Sequence, residues 1–251
     1  MNSTAMNVSK DWFATWFDTP YYHILYKNRN EKEAEAFMDK LVHSIKVEKD
    51  ALCLDLACGK GRHAKYLNAI GLNVVGLDLS ENSITQAKTF ENERLRFDVH
   101  DMREVYPHNQ FDVIFNLFTS FGYFDDEQDN QKVIHAVHSM LNPDGTFVID
   151  FMNALKVTQN LVEKEQKEID GIVFNITRSF DGNHIFKTIT FMDENGDNHS
   201  YTERVQALTE ATFRRLLTNG NFTIEKTYGN YQLASFDEAT SDRLIIVAKR
   251  S

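Results

Sequence analysis

Cysteine is nearly absent from this chain of 251 residues. Only Cys53 and Cys58 occur, too few and wrongly spaced for a zinc site or a disulfide framework. Cys53 falls inside an apolar run and is read as a core residue, Cys58 as a small residue of a glycine-bearing turn. Proline is as scarce, with three residues, which leaves no room for a proline-rich linker. Low-complexity tracts and internal repeats are missing too. No apolar run is long enough to span a bilayer, and the first residues carry no signal-peptide stretch. A reducing, cytoplasmic setting with no membrane partner is therefore expected. Basic charge is in deficit: Lys and Arg number 27 against 37 Asp and Glu, a formal net charge of −10. Affinity for nucleic acid rests on neutralising phosphates, so a general polyanion binder is disfavoured and no nucleic-acid partner is expected. The one short basic pair, Arg214-Arg215, is read as a solvated helix face.

What is present is an ordinary globular composition, 42% hydrophobic and 25% charged, with enough chain to bury a full core. Residues 1–10 are polar and expected to be loose. In D-W-F-A-T-W-F-D-T-P, Trp12 and Trp16, and Phe13 and Phe17, stand at i, i+4 on one side of a short helix, which Pro20 should end. Tyr21, Tyr22, His23 and Tyr26 continue the aromatic stripe, as core or as a lid over a small-molecule pocket. Residues 31–45 repeat apolar positions at helical spacing. Strands are then expected at 51–56, 73–77, 95–99, 111–115 and 146–151, separated by helices that start after Gly61, at Ser80 and at Asp125 or Asp126. Asn142-Pro143-Asp144-Gly145 reads as a turn. Strands alternating with helices imply a parallel sheet.

After Asn153 the pattern changes. Asp170-Gly171, Asp181-Gly182 and Asn195-Gly196 are hairpin signals between runs at 161–169, 172–180, 184–192 and 199–205. A helix at 209–218 and strands at 222–228 and 243–249 close the chain. The expected architecture is a doubly wound α/β fold with a mostly parallel, seven-stranded Rossmann-like sheet. It carries an N-terminal helical lid (1–45) and an antiparallel insertion (154–206) that splits the α/β domain into 46–153 and 207–251.

In open α/β sheets ligands sit at the carboxyl ends of the strands. Those ends bring Ala57, Cys58, Gly59 and Gly61 together with Asp78 and Leu79, Asp101 and Met102, Asn116 to Phe118, and Asp150 to Asn153. Asp78 stands at the interval of a ribose-binding acid and can accept both ribose hydroxyls. Asp101 can accept an adenine amino group while the Met102 N–H serves a ring nitrogen. Asp55, just before the glycine turn, would repel the pyrophosphate that a dinucleotide places there. It would welcome a sulfonium and an ammonium, so the ordered set favours S-adenosyl-L-methionine over NAD.

With these residues in place, the chain resembles a class I S-adenosylmethionine-dependent methyltransferase. The resemblance rests on D-L-A-C-G-K-G at 55–61, G-L-D-L-S at 76–80, H-D-M-R at 100–103 and F-D-V-I-F-N-L-F at 111–118, and spans about 30–250. G-K-G-R-H, F-G-Y-F and L-N-P-D-G-T-F-V-I-D-F-M-N are more narrowly similar to small-molecule methyltransferases, including N-methyltransferases of amino-sugar-type products. The resemblance implies that the insertion covers the substrate. It supplies no catalytic base; Tyr22, His23, Tyr123 and Tyr231 are the candidates for acceptor binding or proton transfer. His100 is read as a turn residue, and His135 and His138 as a helix face rather than a metal site. The [D/N]-P-P-[Y/F] motif of exocyclic-amine DNA methylation and the Pro-Cys of cytosine C5 methylation are both missing. The expected activity is methyl transfer by in-line displacement to a nitrogen or oxygen of a small molecule, cationic or amine substrates being favoured. RNA or protein methylation, and a non-catalytic cofactor-binding sensor or partner subunit, are the alternatives. The oligomeric state is left open.

Overall fold

The computed structural model describes residues 12–27, 31–107 and 110–251; the polar stretch 1–10 lies outside them. In chain order the elements are α1 (Trp12–Trp16), α2 (Pro20–Leu25), α3 (Glu31–Ser44), β1 (Leu52–Leu56), α4 (Arg62–Ala69), β2 (Asn73–Asp78), α5 (Glu81–Ala87), β3 (Leu95–Val99), β4 (Phe111–Asn116) and α6 (Glu127–Met140). There follow β5 (Leu141–Met152), α7 (Ala154–Gln159), β6 (Lys164–Ile169), β7 (Ile172–Phe180), β8 (His184–Met192), β9 (Asn198–Gln206), α8 (Glu210–Asn219), β10 (Phe222–Tyr228) and β11 (Arg243–Arg250).

The large sheet has seven strands in the order β10-β11-β5-β4-β1-β2-β3. Its strands run parallel except β11, which pairs antiparallel with both β5 and β10. β1 lies inside the sheet, between β2 and β4. That position explains its near-continuous apolar run, because a parallel strand covered on both faces has no solvent side. One face is packed by α6 and α8, through Val133, Ile134, Val137, Phe213, Leu216 and Leu217. The other is packed by α3, α4 and α5, through Phe37, Met38, Leu41, Ala64, Leu67 and Ile84. Each of these side chains larger than alanine contributes roughly 1.5–3 kcal/mol on burial. Packing of the Phe97 ring of β3 and of the turn after β1 over β2 depends on Gly76: a Cβ there would lie 2.5 Å from the Phe97 ring and 2.9 Å from the Cys58 sulfur.

The inserted segment forms a second sheet of four antiparallel strands, β6-β7-β8-β9, with tight turns at Gly171, Gly182 and Gly196, all at positive φ. The alternation of β7 and β8 directs Phe174, Ile176, Ile189 and Phe191 to one face, where they bury Trp12, Trp16 and Leu25. The helical region expected over 1–45 therefore divides. α1 and α2 pack on the small sheet, whereas α3 belongs to the core of the large one.

Two local expectations are corrected. Pro20 opens α2 instead of merely closing α1: Thr19 is the N-cap, its hydroxyl accepting from the Tyr22 N–H at 3.1 Å. Proline at the first helical position loses no hydrogen bond, because that N–H has no intrahelical partner. The turn at Asn142–Gly145 is a bulge inside β5, where Leu141 faces Phe111 and Thr146 faces Val113, with Asp144 at φ 62°. The short helix α7 carries no periodic signal in the sequence. Among the described residues, no helix is long and apolar enough to cross a membrane.

Candidate active site

The carboxyl ends of β1, β2, β3 and β4 open on one cavity of about 790 Å³. Its floor is the turn after β1. Ala57, Gly59 and Gly61 all take positive φ (64°, 55° and 77°), a conformation that costs glycine nothing and alanine something. The turn is pinned by Cys58 N–H to Leu77 O at 2.9 Å and Gly61 N–H to Cys58 O at 3.0 Å. A Cβ on Gly61 would strike the Phe97 ring at 2.5 Å, whereas one on Gly59 would meet nothing within 4 Å. Gly61 thus fits the turn to the sheet, and Gly59 presents bare backbone to open space.

Asp78 ends β2 beside this turn. Its carboxylate accepts the Gly59 N–H at 2.8 Å and the Ser80 N–H at 2.9 Å. Burial pushes its carboxyl above the usual range, and these backbone donors oppose the shift. A carboxylate offers about four acceptor sites, so the Gly59, Ser80 and Leu79 N–H groups leave it capacity for an incoming hydroxyl. Ser80 caps α5, its hydroxyl accepting the Ser83 N–H at 3.0 Å and donating to Asp18 in the loop between α1 and α2.

Asp101 lies on the cavity wall after β3. Arg103 grips it with Nε at 3.0 and 3.1 Å and Nη2 at 2.5 Å. Burial works to raise the Asp101 carboxyl, but the Arg103 hydrogen bonds and charge outweigh it and leave it below the ordinary range. Arg103 also reaches Asp129 at 3.3 Å and lies 4.8 Å over the Phe124 ring.

The remaining sequence-derived residues separate into two groups. Ala57, Cys58, Gly59, Leu79, Met102, Phe118, Tyr22, His23 and Tyr123 line the cavity with Asp78 and Asp101. Asp55, Gly61, Asn116 and Tyr231 do not contribute to its wall. Asp55 is 2% exposed and sits behind the turn, holding the N-terminus of α4 through the Ala64 N–H. Its Oδ2 has no partner, and burial pushes its carboxyl up to about 7. Its charge reaches the cavity through the turn, not by contact. Asn116 is buried, its amide donating to Leu56 O at 3.0 Å, so it ties β4 to β1. Tyr231 lies under Phe118, ring centroids 5.5 Å apart, with its hydroxyl 3.3 Å from Asp150. Burial, then the charge of Asp150, raises that hydroxyl well above the ordinary tyrosine range.

The rest of the wall was legible in the sequence only in part. Phe13 and Phe17 were visible as an aromatic stripe, and both face the cavity beside Tyr26 and Phe124. Tyr123 is 5.4 Å from both Trp12 and Phe17, and Phe13 is 6.1 Å from Phe124. His63, in the first turn of α4, stacks on Phe118 at 4.4 Å, and Lys60 and Arg62 lie beside it on the wall. Arg103, two residues after Asp101, was the one signal within reach, since an arginine at that spacing can fold back on the carboxylate.

This donor set suits S-adenosylmethionine. Bare backbone at Gly59, spare acceptor sites on Asp78 and an unpartnered buried carboxylate oxygen on Asp55 favour hydroxyls and positive charge over a pyrophosphate. Comparison with known proteins agrees. Residues 53–145 match the family model of a methyltransferase domain. The glycine/sarcosine N-methyltransferase of Halorhodospira halochloris is 26% identical over 245 residues, covering 88% of this chain and 83% of that one. The fold is shared with an S-adenosylmethionine-dependent methyltransferase from Clostridium acetobutylicum (TM-score 0.78, 21% identity, 91% and 95% of the two chains). It is shared too with a sugar N-methyltransferase from Streptoalloteichus sp. (TM-score 0.73, 18% identity, 100% and 98%). The chain is a methyltransferase with the fold of the class I S-adenosylmethionine-dependent enzymes, and its donor set fits S-adenosyl-L-methionine as cofactor.

Proposed function

We propose that this enzyme methylates the nitrogen of a small-molecule amine, held between the cofactor end of the cavity and the aromatic rings of α1 and α2. The observation that carries the proposal is the continuity of one cavity from Gly59, Asp78 and Asp101 to Phe13, Phe17, Tyr22, Tyr123 and Phe124. The nitrogen-directed names of the glycine/sarcosine and sugar relatives support it.

When bound, S-adenosylmethionine supplies an electrophilic methyl group on a sulfonium. Asp78 would take the ribose hydroxyls. Asp101 and the Met102 N–H would take the adenine, with Leu79 against its face. Ala57, Cys58, Gly59 and Gly61 would offer backbone to the cofactor's amino-acid end, Asp55 supplying negative charge from behind. Asn116 and Phe118 would bound the reacting space. At the acceptor end the rings exclude water, and their faces attract an alkylammonium group. The Tyr123 hydroxyl donates a hydrogen bond to the Thr119 carbonyl, and its oxygen would accept one from the acceptor N–H. His23 would receive the amine's proton, with the Tyr22 hydroxyl hydrogen-bonding to the acceptor beside it, whereas Tyr231, held protonated, hydrogen-bonded to Asp150 and off the wall, would only support Phe118 from beneath. With an activated methyl donor, positioning supplies much of the acceleration. The small sheet and α1–α2 would together form the cover of the acceptor end.

The test is a panel of primary amines, secondary amines and phenols incubated with enzyme and S-adenosylmethionine, with S-adenosylhomocysteine and product followed by mass spectrometry. Methylated amines are expected. Methylation of phenols alone would move the acceptor atom to oxygen. Cofactor binding without any product would favour the non-catalytic alternative.

A further inference from the structure

The strand ends supply a second feature that the cofactor and acceptor roles leave unexplained. Where β4 meets the cavity, two successive non-glycine residues take the left-handed conformation: Phe118 at φ 60° and Thr119 at φ 64°. Such residues persist only where their surroundings over-determine them, and they gather at functional sites. The surroundings here are a buried ion pair from two other strands. Asp150, on β5, has no exposed surface. Its Oδ2 accepts the Phe118 N–H at 2.8 Å and its backbone carbonyl accepts the Thr119 N–H at 3.0 Å. Arg243, the first residue of β11, donates from Nε to Asp150 Oδ1 at 2.8 Å and from Nη2 to the Thr119 hydroxyl at 2.9 Å. The strained pair is thereby tied to the Asp150 carboxylate through the Phe118 N–H, to the Asp150 backbone carbonyl through the Thr119 N–H, and to the Arg243 guanidinium through the Thr119 hydroxyl.

The segment so held is the centre of the cavity wall. The Phe118 ring stacks on His63, at the cofactor side. The Thr119 carbonyl accepts the Tyr123 hydroxyl, and Tyr123 contacts Trp12 and Phe17, at the acceptor side. A buried ion pair is weak evidence for stability, because desolvation offsets much of the Coulombic gain. Its value here is geometric.

We propose that Asp150 and Arg243 are positioning residues for methyl transfer. They impose the left-handed turn at Phe118–Thr119 and so set the distance and angle between the cofactor wall and the Tyr123 hydroxyl. This rests on the amine-methylation reading above, and it assigns the pair to turnover, not to cofactor affinity.

The test uses Asp150→Asn and Arg243→Lys in the full chain with the acceptor that the panel identifies. Turnover is expected to fall about 10- to 100-fold, the loss that a displacement of about 1 Å produces. Affinity for S-adenosylhomocysteine by calorimetry is expected to stay within about twofold, since the groups assigned to that ligand keep their hydrogen bonds. Adding Thr119→Gly to Asp150→Asn should recover part of the lost turnover, because glycine takes the left-handed conformation unaided. A purely stabilising ion pair would give no such rescue. Equal losses of cofactor affinity and turnover, or a double variant no better than the single one, would overturn the proposal. If Asp150→Asn does not fold, Arg243→Lys with and without Thr119→Gly carries the same comparison. Amide hydrogen exchange over 117–120 reads the tether with no acceptor present. Faster exchange confined to those amides in Asp150→Asn supports it, and unchanged exchange overturns it. A panel without methylated product would count against the amine reading while leaving this exchange measurement decisive for the tether.

Discussion

Replacing Asp55 by asparagine should stabilise the protein above neutral pH while weakening its hold on the cofactor. The Asp55 carboxyl is buried behind the glycine turn and pushed up to about 7, against about 3.9 in an unfolded chain. The folded state thus binds this proton more tightly than the unfolded state does. The group's contribution to stability is present in full below about pH 4 and is lost as pH rises through about 7. Three units at about 1.36 kcal/mol each make the loss about 4 kcal/mol. Asparagine carries no charge to bury and keeps an oxygen for the Ala64 N–H, but it puts an amide NH₂ where Oδ2 has no partner, at a cost of about 1–3 kcal/mol. The net gain at about pH 8 is then about 1–3 kcal/mol. The change in that gain between about pH 8 and about pH 5 is free of the amide cost and comes to about 2–3 kcal/mol, or roughly 5–10 °C in melting temperature for a chain of this size. Thermal unfolding of both proteins at the two pH values measures it. Parallel pH profiles for wild type and variant would refute the reasoning, because they would mean that Asp55 does not titrate on folding.

Asp78→Ala removes the acceptor of the Gly59 and Ser80 N–H groups as well as the proposed ribose partner, so S-adenosylhomocysteine should bind about 10- to 100-fold more weakly, from about 1.5–3 kcal/mol per charge-assisted hydrogen bond; unchanged calorimetric affinity would remove the ribose assignment. Gly76→Ala drives a methyl into the Phe97 ring and the Cys58 sulfur and should cost about 1–3 kcal/mol, visible as a lower denaturation midpoint. Asp18→Ala cuts the hydrogen bonds from Ser80 and Asn82 to the loop between α1 and α2. Stopped-flow release of S-adenosylhomocysteine should quicken by about 5- to 100-fold, from two hydrogen bonds at about 0.5–1.5 kcal/mol each; an unaltered rate would show that this loop does not bar the exit.

The sequence made the α/β frame legible because its signals are local. The apolar run of β1, the Ser80 cap and the three glycine turns of the insertion each act within a few residues, and β7 and β8 occupy the runs that the turns delimit. Asp78 and Asp101 were equally visible, since strand ends in a parallel sheet share one edge. What stayed hidden depends on the far side of each residue. Asp55 shares strand parity with Cys53, which faces α3 and α4, so its carboxylate points behind the turn; the sequence shows the parity but not which helix covers that face. Tyr231 and Asp150 are 81 residues apart, and Arg243 and Asp150 are 93 apart. No local pattern announces pairs at such separations. Pro20 was misjudged because a proline that ends one helix and one that begins the next look alike until Thr19 is seen to cap.

The most direct measurement is mass spectrometry of the amine and phenol panel after incubation with methyl-labelled S-adenosylmethionine, run for the wild type and for Tyr123→Phe. The expected result is a labelled methyl group on an amine nitrogen, with S-adenosylhomocysteine released in equal amount and a slower reaction in the variant. Labelled phenols without labelled amines, or bound cofactor with no labelled product at all, would contradict it.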